Sequence, residues 1–374
     1  MAIIGIRGVP ASYSGLETCA EQLGTRLAAR GHRVSVYCRQ HHKQYSSDWY
    51  QGIRLITLPT VHQKYLDTIV HTLLAAGHAL LQPYDIVLGF TAGNSPVAWL
   101  PALGGKQVVL NVDGLDWRRR KWPSPAKRYI QFAERLATRL PYTLVTDSLV
   151  VQSFYHDAYG ADPVYIAYGS DVEPLPAGQF LQQFGLEREQ YILFVGRIVP
   201  ENCVHHLVEA FQGLETDMKC VIVGDAPYAK RYQAELRSLA GSNVIFTGYL
   251  FGEGYRELST NAYCFVESSE VGGTHPALLE AMAFGKCVIV NDTAENLETI
   301  GDAGLSYDGR EGAAALHRVL ARLIRESETV AAYGERARRR VQRYYTWDTI
   351  TDRYERLFYF LLEQEASLSK VQLP

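Results

Sequence analysis

Short apolar runs alternate along this chain with stretches whose apolar residues recur at helical spacing. Residues 2–6, 34–38, 53–58, 86–90, 108–112 and 144–146 read as strands. So do 191–195, 220–223, 244–246, 262–266 and 287–290. The run at 262–266 reads as a buried strand. Between them, residues 16–27, 67–81, 127–140 and 149–159 carry the 3.6-residue period. Strand and helix in regular turn predict an α/β fold with parallel, doubly wound sheets. Pro174, Pro176 and Gly178 mark a linker, which divides the chain into domains at 1–172 and 173–345. Residues 346–364 read as a closing helix and 365–374 as a loose tail.

The most informative stretch follows the run 262–266. Glu267, Ser268, Ser269 and Glu270 mark a strand's carboxyl end, and Val271-Gly-Gly-Thr-His-Pro276 makes the turn. Gly272 and Gly273 let backbone approach a ligand, Thr274 is expected as the N-cap, and Pro276 falls in the first helical turn. Leu278, Leu279, Met282 and Ala283 suit a buried face, with Gly285 ending the helix. A glycine turn at a helix start is an anion site, since free N–H groups and the helix dipole converge on it. Glu280, about one turn in, is placed to accept from sugar hydroxyls. His275 either donates to such a ligand or simply occupies the helix start. The strand at 191–195 likewise ends in Gly196-Arg197, where a guanidinium can grip two phosphate oxygens; the alternative is an ordinary surface arginine.

The opening strand–loop–helix unit invites comparison with dinucleotide-binding folds. Gly5, Gly8 and Gly15 do not form Gly-x-Gly-x-x-Gly, and the second strand ends in Cys38-Arg39 rather than an acid, so that reading is set aside. Asp113 follows the strand at 108–112, on the edge where open sheets bind ligands. It reads either as an acid near a reacting hydroxyl or as a local turn former. Trp117-Arg118-Arg119-Arg120-Lys121-Trp122 and the basic residues to Arg139 are offset only by Asp116 and Glu134. Nothing around them suggests a nucleic-acid fold. The run is either an anionic-membrane contact or a solvated face with its tryptophans in the core.

With 374 residues, 47% hydrophobic and 21% charged, the chain is long enough for two cores and is not compositionally disordered. A net charge of -3 gives no global reason for nucleic-acid binding. The six cysteines are scattered, which suits reduced core thiols in the cytoplasm. His205-His206 has no companion ligand at metal spacing, and no metal or cofactor is expected. The run at 66–81 is interrupted by Asp67, His71 and His78, so no spanning helix is expected; residues 1–6 read as a strand, not a leader.

Glu270 to Gly285 resembles the donor-site motif of family-four retaining glycosyltransferases, in which two glutamates with seven residues between them flank a glycine turn. The opening Gly5-Ile-Arg-Gly-Val-Pro10, with Tyr13, Gly15, Glu17 and Thr18, resembles a subgroup whose relatives are often called rhamnosyltransferases. The resemblance covers nearly the whole chain. It implies a GT-B architecture, two Rossmann-like domains facing a central cleft, with a closing helix returning to the first. It further implies that Glu280 binds ribose hydroxyls, that the Gly272–Thr274 amides and Arg197 hold the diphosphate, and that Gly15, Asn202, Gly248 and His275 line the donor. Two positions depart from the family: Gly272 stands where the first glutamate is expected, with Glu270 two residues earlier, and Asn202 stands where a lysine is usual. Asp113, Arg197 and Glu270 would then be catalytic, and Trp117, Arg118, Arg119 and Trp122 would face the acceptor or membrane. The implied activity is metal-independent transfer from a nucleotide-sugar, preferably dTDP-L-rhamnose, to a glycan or lipid-linked saccharide. UDP- or GDP-sugars, a sugar-phosphate epimerase or phosphorylase, and a non-catalytic nucleotide-sugar binder are the alternatives.

Overall fold

The computed structural model describes residues 1–11, 15–42, 46–63, 66–119 and 122–371, with the backbone alone from 365 onward. The chain forms two compact units, Met1–Gly169 with Trp347–Pro374, and Ser170–Thr346. Within the first lie β1 (Ala2–Ile4), β2 (Ser35–Arg39), β3 (Trp49–Tyr50), β4 (Ile53–Leu58), β5 (Ile86–Phe90), β6 (Gln107–Asn111), β7 (Thr143–Thr146) and β8 (Val164–Tyr165). They make one sheet in the order β3-β4-β2-β1-β5-β6-β7-β8, parallel except for β3 against β4. β1, β2 and β5 are buried along their whole length, as strands covered on both faces are. The chain order reverses between β1 and β5, the switch point at which open sheets leave a crevice above the strand ends.

The second unit repeats the plan on a smaller scale. β9 (Tyr191–Val195), β10 (Lys219–Val223), β11 (Val244–Gly248), β12 (Cys264–Glu267), β13 (Cys287–Asn291) and β14 (Leu305–Tyr307) are all parallel, in the order β11-β10-β9-β12-β13-β14. Here the reversal falls between β9 and β12. Ile192, Phe194, Ile222, Val266 and Ile289 build the core with Cys220, Cys264 and Cys287, each such side chain contributing roughly 1–3 kcal/mol of burial. All six cysteines are buried and none forms a disulfide. Burial raises the thiol pKa of Cys19, Cys220, Cys264 and Cys287, the last to about 12, so these four stay protonated.

Two expectations change. The last helix spans Trp347–Val371 rather than stopping at 364, because no Gly or Pro interrupts the chain before Pro374. It packs into the first unit, where Asn111 donates to the buried Tyr354 hydroxyl at 2.9 Å. The first helix begins at Gly15, so the expected loop up to that residue is shorter; its residues 12–14 lie outside the described residues. Among the described residues no helix is long and apolar enough to cross a membrane.

Candidate functional site

In the second unit the candidate residues gather on the loops after β9 and β12, the two strands that flank the switch point. These loops are laced together. The Glu270 N–H donates to the Glu201 carbonyl at 3.0 Å, and the Ser268 hydroxyl to the Asn202 carbonyl at 2.7 Å. From β13 and the helix after it, Asn291 donates to the Ser268 carbonyl at 3.0 Å and Asn296 to that of Ser269 at 3.3 Å. Asn202 donates its side-chain amide to the Arg197 carbonyl at 2.8 Å. It therefore shapes the turn bearing the half-buried Arg197, and is not simply a lysine's replacement against a ligand.

The glycine turn leads into helix Pro276–Ala283. Its N-cap is His275, not the buried Thr274, and it makes no side-chain cap bond. The imidazole lies back over Gly272, where a Cβ would come to 2.5 Å from the ring, so a larger residue there would have to push the His275 side chain aside. At the far end Gly285 has φ +73°; its N–H donates to the Met282 carbonyl and that of Lys286 to Ala281, a Schellman closure. Gly248, at the end of β11, accepts from the Gly224 N–H at 2.9 Å.

Glu280 is half-buried, and one carboxylate oxygen, Oε2, accepts a hydrogen bond from the Tyr255 hydroxyl. Oε1 has no protein partner among the described residues and is open to solvent. Burial raises the carboxyl pKa, and the phenol O–H opposes that by stabilising the anion. Tyr255, from helix Gly252–Asn261, escaped the sequence reading because a tyrosine 25 residues away in an amphipathic helix looks like core.

In the first unit Asp113 stands just beyond β6 with φ +60°, a conformation Asp tolerates better than most residues. Its N–H donates to Asn111 Oδ1 at 2.9 Å, and the Tyr168 hydroxyl donates to its Oδ1 at 3.2 Å. Burial pushes its pKa up; the Arg119 guanidinium and Tyr168 oppose this, and Asp116 reinforces it. Both readings of Asp113 are thus realised in part: it shapes a turn, and its carboxyl is held in a perturbed setting.

The interleaved tryptophans are turned inward. Trp117 packs on Phe154 with centroids 6.2 Å apart, against the cluster of Leu110, Val112, Leu144 and Val151. Arg118 lies 5.6 Å from the Trp117 ring centroid. Trp122 donates to Asp116 at 2.8 Å, and Arg119 pairs with the same carboxylate at 2.7 Å. As a surface patch this run is therefore corrected; Arg120 and Lys121 lie outside the described residues. Glu134 does not offset the basic face either. It is buried beneath Tyr159, and burial raises its pKa to about 7. What remains outward on helix Ser124–Ala137 is Arg128, Tyr129, Phe132 and Arg135.

Two groups of ligand-type atoms lie within 4.8 Å of one another among the described residues: Cys203, His205 and His206, and His41, His42 and Asp67. The first corrects the expectation that the histidine pair lacks a companion, since the left-handed turn at Cys203 (φ +46°) brings its thiol beside them. Both rings are already engaged, His205 with the Tyr232 hydroxyl at 2.9 Å and His206 with Tyr307 at 3.1 Å. In the second, Arg39 holds Asp67 at 2.7 Å, a guanidinium where a cation would need to sit.

Residues 179–340 match the family described as glycosyl transferases group 1, and residues 1–171 match a domain of unknown function, DUF1972. The chain is 27% identical to O-antigen chain mannosyltransferase C of Escherichia coli over 96% of its own length and 97% of that protein. Other relatives align over about half of this chain and about half of their own lengths. Sucrose-phosphate synthase from Thermosynechococcus elongatus shares the GT-B fold, with TM-score 0.82 and 19% identity over 97% of this chain and 99% of that one. Anabaena HepE, solved in complex with UDP, gives TM-score 0.77 and 16% identity over 96% and 98%.

Proposed function

We propose, from the match of residues 179–340 to the family described as glycosyl transferases group 1, that this chain is a retaining, metal-independent transferase using a nucleotide-sugar donor. The observation carrying this reading is Glu280: a carboxylate with one open oxygen, on the helix that follows a glycine turn at the switch point. That oxygen accepts from a nucleotide hydroxyl, while the amides from Gly272 to Thr274 and the Arg197 guanidinium stabilise charge building on the leaving diphosphate. Glu270 supplies the carboxylate that orients the donor sugar, in place of the absent acid at Gly272. Asp113, its carboxyl made more basic by burial, eases proton loss from the acceptor hydroxyl. The preferred donor is dTDP-L-rhamnose, on the resemblance of the opening segment. The relative named for O-antigen chain synthesis and the structure holding UDP support a surface-glycan acceptor and a nucleotide-sugar donor.

Peripheral contact with an anionic membrane, suited to a lipid-linked acceptor, would fall to helix Ser124–Ala137. Its Phe132 is 58% exposed between Arg128 and Arg135, an aromatic with flanking cations of the kind that favours a lipid interface.

A panel of dTDP-, UDP- and GDP-sugars, read by thermal shift and by slow donor hydrolysis, tests the reading. Stabilisation by dTDP-rhamnose with release of dTDP, both lost in Glu280→Ala, is the expected result. Turnover of a UDP- or GDP-sugar instead would keep the chemistry and replace the donor. Binding with no turnover, even with a lipid-linked acceptor present, would make the chain a nucleotide-sugar binder. No binding to any member would end the proposal.

A further inference from the structure

The last helix, Trp347–Val371, sorts its side chains by face. Ile350, Tyr354 and Phe358 are buried in the first unit. A second face carries acids that are paired: Asp348 meets Arg26 at 3.1 Å, Asp352 meets Arg30 at 2.7 Å, and Glu355 meets Arg30 at 2.7 Å and His32 at 2.6 Å. The remaining face presents Arg353, Arg356, Leu357 and Phe360, at the three- and four-residue spacing that sets side chains next to one another. Neither of these arginines pairs with a carboxylate among the described residues.

These four side chains form one wall of an open groove of about 360 Å³. Val164 and Ile166, on and beside the edge strand β8, form the other. Solvated arginines are ordinary on any surface. What sets this pair apart is the apolar ground beside it, where Phe360 is 54% exposed and Val164 38%. Asp162, the acid two residues before Val164, is taken up by His156 at 2.7 Å. The groove therefore joins an apolar bed to two guanidinium groups that lack a counter-charge among the described residues.

Bare phosphate would use the arginines and leave the apolar bed in water, and an uncharged hydrocarbon would do the reverse. An amphiphile with an anionic head uses both. Guanidinium groups hold phosphate oxygens in pairs, and the apolar side chains gain by covering an acyl chain. A second copy of the chain set symmetrically on this face would instead bring the two arginine pairs together, like charge against like.

We propose that the groove is a headgroup site for an anionic phospholipid, with Arg353 and Arg356 on the phosphate and an acyl chain along Val164, Leu357 and Phe360. It uses no residue of helix Ser124–Ala137 and none of the donor site. It therefore stands apart from the transferase reading and from the membrane contact assigned to that helix.

The test is flotation of the full chain with vesicles of phosphatidylcholine, with and without phosphatidylglycerol. Binding should require phosphatidylglycerol. With folding checked by thermal melting, Arg353→Gln combined with Arg356→Gln should weaken it roughly thirtyfold, the worth of two basic side chains at an anionic surface. Phe360→Ser should weaken it roughly tenfold through lost apolar burial. Arg353→Lys combined with Arg356→Lys keeps the charge without the paired geometry, and should cost roughly threefold or more. Binding that these lysines preserve in full is diffuse attraction, and overturns the inference. So does binding that only Arg128→Gln combined with Arg135→Gln reduces, or a dimer by sedimentation that Phe360→Ser dissolves while vesicles are ignored. If Phe360→Ser does not fold, the two arginine variants decide. Failure to float with either vesicle ends this inference and leaves donor binding untouched.

Discussion

In each unit the candidate carboxylate accepts a hydrogen bond from a tyrosine hydroxyl. Glu280 and Tyr255 in the second unit, and Asp113 and Tyr168 in the first, nonetheless differ in how they are built. Glu280 sits in a regular helix, opposed by no charged side chain; burial alone raises its pKa and the phenol alone opposes it. Asp113 sits at positive φ beyond a strand end, between Arg119 and Asp116, with the phenol as one influence among several. A carboxylate on a rigid element with one partner suits a fixed hydrogen-bond acceptor. A carboxylate set by opposing charges suits a group that changes its proton affinity during a reaction.

That contrast can be broken most decisively by comparing two isosteric substitutions. Asp113→Asn should lower kcat by roughly 10²–10⁴-fold, the range for loss of a positioned proton acceptor, with little change in the donor KM. Glu280→Gln should do the reverse, raising the donor KM roughly 10–100-fold with a smaller effect on kcat. Steady-state kinetics in which both variants lose kcat alike would erase the distinction.

A smaller effect sharpens the first unit. The Tyr168 O–H stabilises ionised Asp113, so Tyr168→Phe should push that carboxyl further up. Since Asp113 must be ionised to accept a proton, kcat rises with pH through its pKa, and the acid limb should move to higher pH in the variant. A limb that stays where it was would identify some other group as the one titrating. The smallest effect belongs to the helix under Glu280. Gly285→Ala, at φ +73°, should cost about 1–2 kcal/mol and lower Tm by a few degrees, leaving the donor KM unchanged.

Much of the scaffold could be read because its signals are local. β5 begins and ends where its apolar run does, and Pro276 and Gly285 bracket the helix between them. The Glu280 position was legible for the same reason, being fixed by a turn and helix contiguous with it. What escaped was held by partners distant in sequence. Tyr168 reaches Asp113 across 55 residues, and Asn291 reaches the Ser268 carbonyl across 23. Trp117 and Trp122 left two readings open for a related reason: with four basic residues between them they suit a surface patch or a core, and only Phe154 against the Trp117 ring and Asp116 at the Trp122 N–H show which contacts they make. Cys203 joined the histidine pair through a left-handed turn that spacing alone does not announce.

The return of the last helix to the first unit makes that unit discontinuous, with all of Ser170–Thr346 interposed. On a ribosome the second unit is therefore complete before the first is. The floor beneath Asp113, where Asn111 rests on Tyr354, is not supplied until the final helix emerges. The second unit can acquire its native shape during synthesis, whereas the edge bearing Asp113 is the last part of the chain to become fixed.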